Sequence, residues 1–213
     1  TLTYRDFLSG VAELVKTFII DDSGDNYEKA VTILSEIHDA TDHTSAIASH
    51  HAELEDLIAA AARVKAGVVE RDEFEMGERR KLNLGHTFAH AIEWEAHNRE
   101  QSMGDVNAGV HGISHGEAVA MGMIMAAEAS EYYYADDKSQ HVAAQGIVKK
   151  LTEDFRRCGL PVECPYPITT LAEAMKKDKK SENGIVHFIL IRAIGDVRIE
   201  DLPVDDVVSW ISK

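Results

Sequence analysis

Residues 82–93 read Leu-Asn-Leu-Gly-His-Thr-Phe-Ala-His-Ala-Ile-Glu, and this stretch constrains the chain most. A helix turns about 100° per residue, so His86 and His90, four apart, stack one turn apart on one face. Extended back to Arg79, the same helix would carry Arg79, Asn83, His86 and His90 within an arc of about 60°. Leu84, Phe88, Ala91 and Ile92 fall on another side. A face of Arg, Asn and two His beside an apolar face suits the wall of a polar cavity. A second run, His115-Gly-Glu-Ala-Val-Ala-Met-Gly-Met-Ile-Met-Ala-Ala-Glu, also opens on a histidine and reads as a helix.

Around these two segments the pattern is mostly helical. Apolar spacing predicts helices over 4–20, 26–39, 46–70, 115–134, 139–157, 168–176 and 204–212. Residues 41–45 and 95–114 read as loops, the latter holding His97, Asp105, Asn107 and His111. Residues 70–81 are a charge run, usually a solvated loop. Residues 185–191 and 197–199, around Gly195-Asp196, predict a small hairpin. The expected fold class is mainly α: a helical, bundle-like domain with one small β-hairpin.

The 213 residues allow one domain with a real core, or two small ones. A formal charge of −15 argues against nucleic acid or an anionic membrane as partner. Two cysteines, Cys158 and Cys164, are too few for a disulfide scaffold or a thiolate metal site, and they fit a reducing cytoplasm. The most apolar run, 118–127, is too short to span a bilayer. The N-terminus lacks a signal peptide's charged head and apolar run. It also lacks a methionine, so the chain is expected to be part of a longer protein.

In an acidic chain the basic residues need an explanation. Glu13 and Lys16 lie three apart, a spacing that most often marks a surface ion pair. Lys65, late in its helix, is by frequency a surface residue. If Lys16, Lys65, Arg79 and the cluster Lys176-Lys177-Asp178-Lys179-Lys180 converge on one site, its ligand is an anion carrying phosphate or carboxylate groups. His86, His90 and a third histidine at 115, with carboxylates nearby, have the spacing of metal-ligand chemistry, although paired core or surface histidines are an equal alternative from spacing alone. Gly85 and Gly116, beside two of these histidines, permit close backbone approach. No Walker-type loop, GxGxxG or serine elbow is present, so a nucleotide cofactor would bind outside this chain.

Five segments taken together resemble the dehydroquinate synthase family, in the family's order: 9–16 (SGVAELVK), 65–77 (KAGVVERDEFEMG), 79–93 (RRKLNLGHTFAHAIE), 115–123 (HGEAVAMGM) and 175–180 (MKKDKK). The resemblance is to the family's C-terminal, helical, metal- and substrate-binding domain over 1–213. Its N-terminal NAD-binding domain has no counterpart here. The resemblance implies Glu13, His86 and His115 as ligands of Zn2+ or Co2+. It places His90 and Lys179 toward a substrate phosphate, Lys65, Arg79 and Asn83 toward the substrate carboxylate and hydroxyls, and Lys16 beside a metal-bound hydroxyl. It implies conversion of 3-deoxy-D-arabino-heptulosonate 7-phosphate (DAHP) to 3-dehydroquinate and phosphate, in the shikimate pathway. The cofactor would be NAD+, held mainly by the other domain of a homodimeric, cytoplasmic enzyme, and this chain alone would not turn over. Two departures stand out. Ala89 replaces a usual glycine, and the long connection before His115 contains a second His-Gly, His111-Gly112. The alternatives are a sedoheptulose 7-phosphate cyclase, a metal-dependent polyol dehydrogenase relative and a non-catalytic helical domain.

Overall fold

A computed structural model describes residues 2–103, 112–177 and 184–212. The helices are α1 (Tyr4–Ile20), α2 (Asn26–Asp39), α3 (His43–Ser49), α4 (His51–Arg71), α5 (His86–Met103), α6 (His115–Tyr133), α7 (Lys138–Arg157), α8 (Ile168–Lys177) and α9 (Val204–Ile211). A 3-10 segment, Glu78–Asn83, precedes α5. The strands β1 (Ile185–Ala193) and β2 (Asp196–Pro203) pair antiparallel, with Ile189 opposite Ile199. This is the mainly α architecture with one hairpin that the apolar spacing predicts.

The core is organised on α6. Residues Ala118 to Ala127 are all buried, so this helix is apolar around its whole circumference. Such a helix has to be surrounded. It packs on α1, α5, α7, α9 and β1. A capping box starts it: Ser114 Oγ accepts the Glu117 N–H, and Glu117 Oε2 accepts the Ser114 N–H at 2.7 Å. The start of α6, and with it His115, is therefore set locally by sequence. Small residues then let neighbouring backbones approach. A Cβ on Gly116 would lie 2.3 Å from Ser9 Cα on α1, and one on Gly122 would lie 2.2 Å from the Gly85 carbonyl oxygen.

Ser130, near the end of α6, ties the hairpin to this helix. Its hydroxyl donates to the Ala126 carbonyl at 2.7 Å and accepts the Ile191 N–H at 2.9 Å, both buried. Ser130→Ala leaves that strand N–H without its acceptor. Urea denaturation should show a loss of about 1–3 kcal/mol; an unchanged midpoint would mean the hairpin docks by apolar contact alone.

Several local expectations differ from the structure. The helix expected over 46–70 is two, α3 and α4, broken at His50. Asp42 accepts the N–H groups of Thr44 and Ser45 and so starts α3 early, inside the expected loop. At the break, His50 reaches Glu36 of α2 at 3.3 Å. The expected loop over 95–114 is helical as far as Met103. Its polar residues form pairs one turn apart, such as Arg99 with Glu95 at 2.6 Å, which support a helix as well as a loop. His111, Asp105 and Asn107 lie outside the described residues. The hairpin also runs longer than expected at both strands. No helix among the described residues is long and apolar enough to cross a membrane.

Candidate metal centre

The histidine helix does not extend back to Arg79. The 3-10 segment ends at Asn83, and Gly85 takes φ +76°, a left-handed conformation that favours glycine. The α-helix begins at His86. A side chain at Gly85 would also meet the Met123 backbone nitrogen at 2.9 Å. The left-handed Gly85 thus breaks the helix between Asn83 and His86. The 60° arc drawn for one continuous helix is therefore not formed. His86 and His90 do keep their helical relation, with rings edge-on at 5.6 Å.

Three elements bring side chains to one point: α1 carries Glu13, α5 carries His86 and α6 carries His115. One donor atom from each lies within 4.8 Å of the other two. Glu13 Oε1 is 3.8 Å from His86 Nε2 and 3.9 Å from His115 Nε2. The far nitrogens are both anchored. His86 Nδ1 meets the Leu84 carbonyl at 3.2 Å, and a carbonyl can only accept, so that nitrogen carries the proton and Nε2 is left bare. His115 Nδ1 meets Glu93 at 3.0 Å.

Helix α1 also fixes where α6 begins. Arg5 donates to Glu117 Oε2 at 2.7 Å and to the Gly112 carbonyl, and Ser9 Oγ accepts the Gly116 N–H at 3.0 Å. Ser9 is one turn from Glu13 on the same helix. The element that supplies the carboxylate thus grips the residue following His115.

Charge surrounds the carboxylate. Lys16 Nζ lies 2.7 Å from Glu13 Oε1, and Lys65 Nζ lies 3.2 Å from Oε2. The Glu13–Lys16 spacing suggested a surface pair, yet the Lys16 side chain is only 3% exposed. Burial works to raise the Glu13 pKa, but Lys16 and Lys65 outweigh it and hold the carboxyl down at about 2. Burial, reinforced by Lys16, pushes His86 down to about 4. Burial likewise lowers Lys16 against the pull of Glu13. At neutral pH Glu13 is an ionised carboxylate and His86 a neutral, partly buried imidazole, the states in which both donate to a cation. One carboxylate oxygen and two imidazole nitrogens suit a zinc-like ion with positions left open for substrate. The residues present therefore fit a divalent metal.

The remaining sequence candidates are placed differently. Arg79 donates to the Glu73 carbonyl at 2.7 Å, and Asn83 donates to Glu75 at 2.7 Å. Both bond to residues of a turn organised by Asp72, whose carboxylate accepts the N–H groups of Met76, Gly77 and Arg79. The charge run is thus the end of α4, an ordered turn and most of the 3-10 segment. Glu75, at φ +56°, accepts from Asn83, and spacing did not single it out. Its place in the run between Lys65 and Arg79 was the available signal. Lys179 lies outside the described residues. Glu93, three residues past His90, was also missed; an acid one turn beyond a candidate histidine is the pattern that could have found it.

The fold and the converging side chains define a helical domain built around one polar, cation-competent centre. The same fold occurs in two solved synthases. One is 2-epi-5-epi-valiolone synthase from Streptomyces hygroscopicus subsp. jinggangensis 5008, with NAD+ and Zn2+ bound. It aligns with a TM-score of 0.63 and 18% identity, over 99% of this chain and 51% of that one. The other is 2-deoxy-scyllo-inosose synthase complexed with carbaglucose-6-phosphate, NAD+ and Co2+, with a TM-score of 0.62 and 21% identity, over 96% and 50%. Sequence carries the assignment further. The profile of the 3-dehydroquinate synthase C-terminal family matches residues 10–181, and the chain belongs to that family. It is 32% identical over 217 residues to the 3-dehydroquinate synthase of Geobacillus kaustophilus, covering 100% of this chain and 50% of the relative. The chain spans about half the length of the curated relatives it matches.

Proposed function

We propose that this chain is the metal- and substrate-binding half of a 3-dehydroquinate synthase, releasing phosphate from DAHP to form 3-dehydroquinate. The observation that carries the reading is the approach of Glu13, His86 and His115 to within 4.8 Å through their donor atoms. Family membership and the full-chain match to a curated synthase support it. The half of the relatives that this chain does not span is proposed to hold NAD+, and the complete protein is proposed to be a cytoplasmic homodimer.

Glu13, His86 and His115 would hold Zn2+ or Co2+. Bound there, the metal would supply Lewis acidity toward a substrate hydroxyl, and NAD+ would supply the hydride acceptor. The chain's own residues do the rest. Lys16 and Lys65, fixed on either side of Glu13, place two positive charges where a substrate oxygen gains negative charge, and burial of Lys16 strengthens its effect. His90, edge-on to His86, is proposed to face the substrate phosphate, with Lys179. Arg79 and Asn83 now bond to Glu73 and Glu75. To take a substrate carboxylate they exchange those partners for it, which gives a charge-assisted pair for a neutral acceptor in the case of Arg79. Retention of Lys65, Arg79 and Asn83 favours a keto-acid substrate over sedoheptulose 7-phosphate, which has no carboxylate.

The test is calorimetry of the chain with Zn2+, then with a phosphonate analogue of DAHP, followed by an NAD+-supplemented assay. One equivalent of metal, analogue binding and no turnover are expected. Turnover by the chain alone would overturn the need for a separate NAD-binding half. Absence of both metal and anion binding would favour a non-catalytic helical domain.

A further inference from the structure

We infer that Glu93 is a positioning residue for His115, selecting which ring nitrogen faces Glu13 and His86. The inference rests on the metal-centre reading above and adds a residue to it.

The two histidines are held in unequal ways. His86 sits against its own chain, its Nδ1 on the Leu84 carbonyl, and its side chain is 16% exposed. His115 is the first residue of α6, and its side chain is 47% exposed. A free imidazole divides its proton between two nitrogens and rotates its ring, so an exposed histidine does not by itself present one chosen nitrogen. What fixes His115 is the Glu93 carboxylate, 3.0 Å from Nδ1. A carboxylate only accepts, so Nδ1 carries a proton, and in the neutral ring this leaves the lone pair on Nε2, 3.9 Å from Glu13.

Glu93 can do this because of where it lies on α5. It is seven residues after His86, two helical turns along the same face. One helix therefore supplies a donor directly and, two turns later, the acceptor that orients the donor of another helix. An acceptor behind a ligating histidine raises its basicity and removes its rotational freedom, and losing such a partner typically weakens metal binding about 10–100-fold.

The experiment uses this chain and two variants, Glu93→Ala and Glu93→Gln. Zinc affinity is read by competition with a chromophoric chelator, and the His115 tautomer by 15N NMR of the metal-free protein. Glu93→Ala should weaken zinc binding about 10–100-fold and convert His115 from a single Nδ1–H tautomer to a mixture. Glu93→Gln, whose amide oxygen still accepts the Nδ1 proton, should restore the tautomer and most of the affinity. A merely structural role would lower thermal stability without moving the tautomer. Should the parent chain bind no zinc, the metal-centre reading falls and this inference with it. Should the parent bind zinc and Glu93→Ala match it in affinity and tautomer, only the role of Glu93 falls.

Discussion

Glu13→Ala is expected to abolish stoichiometric metal binding and, independently, to lower stability by about 3 kcal/mol. The first effect follows from losing the oxygen donor common to His86 and His115. The second follows from Lys16. Its side chain is 3% exposed, and Glu13 lies 2.7 Å away. Removing one partner of a buried pair strands the other charge, at a cost of about 3–5 kcal/mol. The lower end applies here because the Glu13 side chain is 28% exposed. In a domain of this size the melting temperature should fall by about 6–12 °C. Lys16→Met in the same chain removes the stranded ammonium and should recover most of that loss without recovering metal binding. A double variant as unstable as the single would show that Lys16 is not the cause. A single variant that still binds zinc tightly would remove Glu13 from the donor set.

Gly122→Ala should cost about 1–3 kcal/mol although it adds one methyl group. The added carbon would lie 2.2 Å from the Gly85 carbonyl oxygen and 3.2 Å from the Ala89 backbone nitrogen. Both are main-chain atoms, so no side chain can rotate away. Either α5 or α6 must move, and Gly85 directly precedes His86. Zinc affinity should therefore fall together with the urea midpoint. Gly146→Ala in α7 is the control. Nothing lies within 4 Å of its added carbon, and alanine favours a helix interior, so that variant should gain about 0.5–1 kcal/mol. A Gly122 variant as stable as the parent would mean the two helices separate at little cost.

Much of this fold was legible because helix spacing is local. The periods over 4–20, 26–39, 115–134 and 139–157 correspond to α1, α2, α6 and α7. What failed did so where polar side-chain pairing, local or between helices, outweighed the apolar spacing. The break at His50 follows from Asp42 capping α3 and from Glu36 on another helix. Helix α5 continues through polar residues because i,i+4 pairing sustains it. At the site, spacing singled out His86 and His90, which are indeed neighbours, and left their chemistry open. Glu13 entered through family resemblance; its i,i+3 relation to Lys16 suggested only a surface pair. Burial of that lysine is a property of the helices packed over it, which no local pattern records.

By itself the sequence determined most of the helices, the capped start of α6 at Ser114, the glycines that let backbones meet and the kinds of side chain available. Those depend on torsional preference and on residues within a turn or two of one another. Only the tertiary structure decided that the donor atoms of Glu13, His86 and His115 come within 4.8 Å, and that Arg79 and Asn83 bond to residues of the Asp72 turn. The distance between side chains on different helices is set by how those helices pack, and packing is a property of the whole core.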